Sequence, residues 1–237
     1  MTLGWLTHSW LEEVKTFGRK SLAIVAKDVV AELRTKEIFT AMFVFALLVI
    51  VIFNFAFELH RVEMELIAPG VLWVAFTFAG VLGLNRSFVL EKDRGCLEGL
   101  MLCPVDRSAI YVGKLVGNLI FMGVMEVIAL PIFGVLSNLS VFRLALIPVI
   151  VLGTVGFAAV GTLFSAMAVN TRTREVMLPV LLFPILVPVI IAAVKATQQV
   201  LAGSSLMGIA NWLNLLIAFD VIFLVAAFLT FEFVVEE

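Results

Sequence analysis

Two acidic residues interrupt otherwise apolar stretches, and they are the strongest candidates for chemistry in this sequence. Glu126 is the only charged residue between Lys114 and Arg143, and Asp220 lies in the last apolar run. A carboxylate at the centre of a membrane-spanning helix costs about 2.5–3.5 kcal/mol on insertion scales, so it must meet a partner or water. We therefore predict that both acids mark a gate, a polar pathway or a contact between subunits. The alternatives are a protonated Glu126 and an Asp220 that snorkels to the surface.

The other reactive side chains do not form a recognisable catalytic or metal site. His8 and His60 are the only histidines, and the charge pattern described below puts them on opposite sides of a membrane. Cys96 and Cys103 are seven residues apart, too far for a disulfide within one helix. The sequence has no GxxxxGK[ST] phosphate loop, no nucleophilic triad and no paired carboxylates. We predict a non-catalytic protein that has no metal site, binds no nucleic acid and uses ATP only through a partner.

The composition is that of a membrane protein. Apolar residues make up 62% of the 237 residues, charged residues 14%, and the mean hydropathy is +1.15. Soluble domains are about 45–50% apolar and about 25% charged. Six apolar stretches are long enough to cross a hydrocarbon core about 30 Å thick as helices. We predict an all-α integral membrane protein whose six transmembrane helices are Ile38–Phe57, Leu66–Leu84, Ala109–Leu136, Leu144–Val169, Val176–Val194 and Ile209–Val234.

Prolines and small residues predict local features of these helices. Pro69 and Gly70 place the effective start of the second span at Val71, because proline disrupts the helix that precedes it. The fifth span is expected to be kinked or partly broken by Pro179, Pro184 and Pro188. Small residues four apart allow close helix packing, within this chain or with a second copy, at Ala75/Ala79/Gly83, Gly113/Gly117 and Gly161/Ser165.

Basic residues predict the orientation of the spans. Thirteen lysines and arginines lie before the first span or around the loops that follow the second and fourth spans. The opposite side has three: Arg61, Arg143 and Lys195. Because positive charge is retained in the cytoplasm, we predict that both termini are cytoplasmic.

The N-terminal segment, residues 1–36, is predicted to lie outside the six-helix domain of residues 37–237. Residues 10–36 repeat apolar side chains at helical spacing, with charged residues on another face. This pattern predicts an interfacial amphipathic helix along the cytoplasmic leaflet; a solvated charged helix is the alternative.

The longest cytoplasmic loop, residues 85–108, contains a second amphipathic stretch. Leu97 and Leu100 lie among charged residues, and Pro104 ends the stretch before the third span. A short helix with one apolar face could dock into a groove of a soluble partner, or it could rest on lipid.

Two motifs carry a family resemblance. The segment Ile67–Trp73, which contains Pro69 and Gly70, and the segment Glu91–Pro104 together resemble the haem exporter B family, the permease subunit of the bacterial cytochrome c maturation ABC system. This chain has cysteine at positions 96 and 103, where the family usually has serine. We expect Trp73 to be an anchor at the outer membrane interface rather than a haem-stacking residue.

The resemblance implies a bacterial inner-membrane protein that assembles with other chains. It implies a second copy of itself, two copies of an ABC ATPase, a haem-handling membrane protein and a periplasmic haem chaperone. Haem would be a possible substrate, with no covalently bound cofactor. The loop would be a coupling helix that transmits ATPase closure, and its implied coupling residues are Glu91, Asp93, Gly95, Leu97, Glu98, Leu100 and Pro104.

Several functions are compatible with this sequence. The leading hypothesis is an ABC permease for haem export in cytochrome c biogenesis. A variant is a mechanical scaffold that moves no haem and uses ATP energy to release the loaded chaperone, which the scarcity of histidine favours. The main alternative is an ABC-2-type permease that exports a lipid, glycan or drug. A third possibility is an ATP-independent channel or carrier, in which substitutions at Glu98 would be silent.

Overall fold

The computed structural model describes residues 3–56, 61–93, 99, 105–169, 171 and 173–236. Seven long helices and no strand make up these described residues, which confirms the predicted all-α class. In chain order they are α1 (Leu3–Thr35), α2 (Glu37–Ala56), α3 (Arg61–Asp93), α4 (Arg107–Leu136), α5 (Leu146–Ala168), α6 (Arg174–Leu201) and α7 (Ala210–Glu236).

The six predicted spans correspond to helices α2 to α7. Each of these helices is long and apolar enough to cross a membrane. The start predicted for the second span is wrong, because α3 begins at Arg61 and continues through Pro69. Pro69 lies within the third turn of α3, and that turn also contains the buried Ala68. The chain is therefore a multi-pass helical membrane protein.

Helix α6 is continuous despite its three prolines, so the expected partial break is not seen. It presents one fully buried stripe to the rest of the bundle, at a spacing of three or four residues. Packing along this stripe holds the helix together where backbone hydrogen bonds are lost to proline. The stripe consists of Leu178, Leu182, Leu186, Val189, Ala193, Ala196 and Val200.

Helix α5 is the centre of the bundle and packs against α3, α4, α6 and α7. Its glycines permit this packing, because side chains of two neighbouring helices, α3 and α7, occupy the space that a Cβ atom would need. Gly153 faces Trp73 of α3, and Gly161 faces Leu84 of α3. The predicted small-residue contact at Gly161 is thus made within this chain.

Helix α1 packs along the first turns of α4 rather than standing apart from the bundle. It ends at Thr35, and the chain turns into α2 through Lys36, whose backbone has a positive φ of 56°. At Gly113 of α4, an added Cβ would lie 2.8 Å from the Cβ of Ile24. The Ser21 hydroxyl donates a hydrogen bond of 3.2 Å to the Ala109 carbonyl. These contacts make α1 part of the folded core.

The connection between α3 and α4 differs from the predicted loop at its start. Residues 85–93 belong to α3, which extends to Asp93. The first turn of α4 begins at Arg107. The interhelical connection is therefore shorter than residues 85–108, because α3 extends well beyond its apolar segment.

Candidate functional site

Glu126 forms the central polar contact of the bundle. Its side chain on α4 is buried, with 4% exposed, and it lies about 15 Å from the Leu136 end of the helix. The Thr154 hydroxyl of α5 donates to both carboxylate oxygens, at 2.7 Å to Oε1 and 3.0 Å to Oε2. Glu126 therefore has a hydrogen-bond partner inside the protein, and this partner is a neutral hydroxyl.

A small cavity adjoins the Glu126–Thr154 pair. It has a volume of about 10 Å³ and is also lined by Trp73, Thr77 and Met122. A cavity of this size holds about one water molecule when polar groups surround it. The Thr77 hydroxyl donates to the Trp73 carbonyl, so its oxygen can still accept a hydrogen bond. The geometry allows one water to hydrate the carboxyl group from the protein side.

Trp73 is a packing residue, so the prediction that it anchors the protein at the outer interface is wrong. Its ring is 4% exposed and fills the space above Gly153. The indole Nε1 donates a hydrogen bond of 3.0 Å to the Thr197 hydroxyl of α6. The same side chain contacts Phe76 edge to face, with ring centroids 6.0 Å apart. Trp73 therefore joins α3, α5 and α6 through their buried faces.

Of the two other family-motif residues, Pro69 is buried and Gly70 is partly exposed, with nothing within 4 Å of an added Cβ.

Asp220 is buried without a hydrogen-bond partner among the described residues. It is 4% exposed, and its carboxylate lies against the backbone of Gly156, where an added Cβ would be 2.5 Å from Oδ1. The alternative that Asp220 snorkels to the surface is therefore wrong. Its neighbour Phe219 stacks on Phe223 along the same helix, with ring centroids 4.2 Å apart.

The two membrane acids do not form one site. Both face α5, where Glu126 contacts Thr154 and Asp220 contacts Gly156. Residues two apart on a helix point about 200° away from each other. Helix α5 therefore separates the two carboxyl groups, and a single pathway lined by both is not present in this arrangement.

A buried ion pair between α1 and α4 is the polar contact that sequence reasoning missed. Lys114 is 1% exposed, and its Nζ lies 2.9 Å from Oδ2 of Asp28. The ammonium group also lies 5.4 Å from the centroid of the Phe88 ring of α3. A lysine just inside an apolar span was a signal that an acidic partner must exist, but spacing could not identify Asp28, 86 residues away.

The face of α1 that meets the bundle includes only part of the apolar stripe predicted from the sequence. Val25 is buried, and Val29 packs against the core. Leu22 and Leu33 belong to that stripe and are 66% and 67% exposed. Glu32 is buried instead, and its Oε1 accepts a hydrogen bond of 2.8 Å from the Phe39 backbone N–H at the start of α2. Helix α1 therefore contacts the protein with apolar and polar residues together, and it leaves part of its apolar stripe on its outer surface.

The predicted coupling residues fall partly outside the described residues. Gly95, Leu97, Glu98, Leu100 and Pro104 lie outside them, as do Cys96, Cys103 and His60. Glu91 and Asp93 are placed in the last turn of α3.

The end of α3 that leads into this segment is tied to two other helices. Lys92 Nζ donates a hydrogen bond of 3.0 Å to the Val169 carbonyl at the end of α5. Arg86 forms an ion pair with Glu37 at the start of α2.

These features define a multi-pass helical membrane protein with buried polar contacts between spans and a tightly packed central helix. The family described as CcmB protein matches residues 19–236, nearly the whole chain, and the protein belongs to this family.

Curated relatives of the chain carry the name "Heme exporter protein B". The relative from Rhodobacter capsulatus is 28% identical over 178 residues, covering 75% of this chain and 82% of the relative. The relative from Haemophilus influenzae is 30% identical over 174 residues, covering 73% and 78%. The relative from Bradyrhizobium diazoefficiens is 25% identical over 187 residues, covering 78% and 84%. The similarity therefore extends over most of the membrane domain.

Proposed function

We propose that this protein is the membrane permease subunit of an ABC transporter complex that exports or delivers haem for cytochrome c biogenesis. The observation that carries this proposal is the family match over residues 19–236, together with relatives whose name describes haem export. The protein would lie in a bacterial inner membrane with both termini in the cytoplasm, as its basic residues predict. Its partners would be a second copy, two ATPase subunits, a haem-handling membrane protein and a periplasmic chaperone.

ATP hydrolysis would act through the segment between α3 and α4. The ends of the helices that would receive the force are connected, because Lys92 binds the end of α5 and Arg86 binds the start of α2. The Lys114 ammonium group lies beside Phe88 and binds Asp28, so the start of α4 is linked to α3 and α1. A displacement of this segment would therefore move five helices, α1 to α5, together rather than one loop.

Charge reversal in this segment tests the coupling. Glu98→Arg should reduce recovery of the ATPase in a pull-down at least several-fold, because it places a positive charge in the predicted docking helix. The matched control is Lys195→Glu, an exposed residue towards the opposite end of the bundle, which should leave recovery unchanged. Equal recovery for the Glu98 variant and the wild type would remove this segment from the ATPase interface.

A variant of this function, in which the subunit is a mechanical scaffold that moves no haem, has its own test. Histidine is a common ligand of haem iron, and this chain has only two histidines, His8 and His60. Glu126, the acid of the central polar contact, is bonded to a threonine. We propose that the subunit transmits force and that haem is held by its partner. Haem flux into proteoliposomes that contain only this protein and its ATPase should then stay at background, and robust flux would exclude the scaffold.

A further inference from the structure

A groove opens between α4 and α5 on the lateral surface of the bundle, which would face lipid. Its volume is about 370 Å³. Apolar side chains of both helices line it, among them Val127 and Ile150, and its two polar lining residues are Glu126 and Thr154. These two are bonded to each other, so the groove offers an occupant a mainly hydrocarbon surface.

The shape of the groove matches an extended chain. It runs along α4 from Leu119 to Leu130, a length of about 16 Å at 1.5 Å per residue. That length is close to half of a hydrocarbon core about 30 Å thick, which is the depth of one leaflet. A single hydrocarbon chain fits a groove of this length and apolar lining.

The chemistry of the groove also distinguishes between occupants. The lining contains no lysine, arginine or histidine that could neutralise an acidic ligand, and no side chain that commonly binds haem iron. Since the lining is aliphatic apart from Glu126 and Thr154, dispersion contacts with methylene groups are the main gain available to an occupant that already lies in hydrocarbon.

We propose that this groove binds one acyl chain of a phospholipid from the leaflet at the α4–α5 turn. The chain lies between the two helices and covers the Glu126–Thr154 pair from the lipid side. In this position the acyl chain separates the Glu126–Thr154 pair from the rest of the membrane. On the protein side, the small cavity near Trp73 has room for a water molecule beside the same pair. Binding of the acyl chain requires neither haem nor an ATPase.

Gly123 provides a direct test, because it lines the groove and no atom lies within 4 Å of a Cβ added there. The Gly123→Phe side chain should fill the groove without displacing neighbouring atoms of the protein. The control is Val124→Phe on the neighbouring face of the same helix, where Val124 is 47% exposed and lies outside the groove. Gly123→Leu, a smaller filling side chain, serves as a second variant if the phenylalanine prevents folding.

The full-length protein would be reconstituted in vesicles of phosphatidylethanolamine and phosphatidylglycerol that carry a diazirine in one acyl chain. After illumination, labelled peptides would be mapped by mass spectrometry. We expect labelling around Val127 and Val151 that falls at least fivefold in Gly123→Phe and is unchanged in Val124→Phe. Equal labelling in both variants would overturn the proposal. Oxidative cross-linking of Val127→Cys between two copies would also overturn it, because the occupant would then be a second chain.

Discussion

The buried ion pair between α1 and α4 yields the sharpest stability prediction. Asp28→Ala removes the carboxylate that lies 2.9 Å from Lys114 and leaves the ammonium group in a site where it is 1% exposed. Breaking a buried pair on one side costs about 3–5 kcal/mol. The Asp28 side chain is 11% exposed, so water relieves part of this cost, and we expect the lower end, about 3 kcal/mol.

Two further variants separate the energy of the Asp28–Lys114 ion pair from other effects of the substitution. Asp28→Ala combined with Lys114→Met removes both charges and should recover most of the lost stability, giving a coupling energy of about 2 kcal/mol or more in a double-mutant cycle. Lys27→Ala is the matched control. Lys27 also lies near Asp28, at 3.2 Å, but its side chain is 41% exposed, and we expect a loss below about 1 kcal/mol.

The free energy of unfolding would be measured in mixed micelles by denaturant titration, with hydrogen exchange along α1 recorded in parallel. The exchange data show whether α1 detaches before the bundle unfolds. The reasoning is refuted if Asp28→Ala costs no more than Lys27→Ala. It is equally refuted if the double variant is as unstable as Asp28→Ala alone, since the cost would then come from lost packing rather than from the lost ion pair.

Three further predictions concern the membrane helices. Trp73→Phe removes the donor to Thr197 and part of the packing between α3 and α6, and it should lower the free energy of unfolding by about 1–3 kcal/mol. Gly156→Ala would place its methyl group 2.5 Å from the Asp220 carboxylate, so it should destabilise the protein by about 1–3 kcal/mol, and Asp220→Ala should relieve this loss in the double variant. Arg86→Gln breaks an exposed ion pair at the start of α2, and its effect on the midpoint of thermal unfolding should be small and should vanish in high salt.

The sequence by itself determined the fold class and the six crossings of the membrane. This follows from local physics: a helix in lipid satisfies its own backbone, so an apolar run of sufficient length predicts a span without knowledge of its neighbours. The starts and ends were less predictable, because they depend on contacts between helices. Helix α3 continues through Pro69 and beyond its apolar segment to Asp93, where Lys92 binds the end of α5.

Only the tertiary structure decided how the polar residues are paired. Sequence reasoning identified Glu126 and Asp220 as buried acids that each need a partner or water, but it did not show that α5 separates them. It placed Trp73 at the membrane surface, whereas a hydroxyl 124 residues away holds it in the core. The physical reason is that the cost of a buried polar group is visible in one residue, whereas the partner that offsets this cost is chosen by packing across the whole bundle.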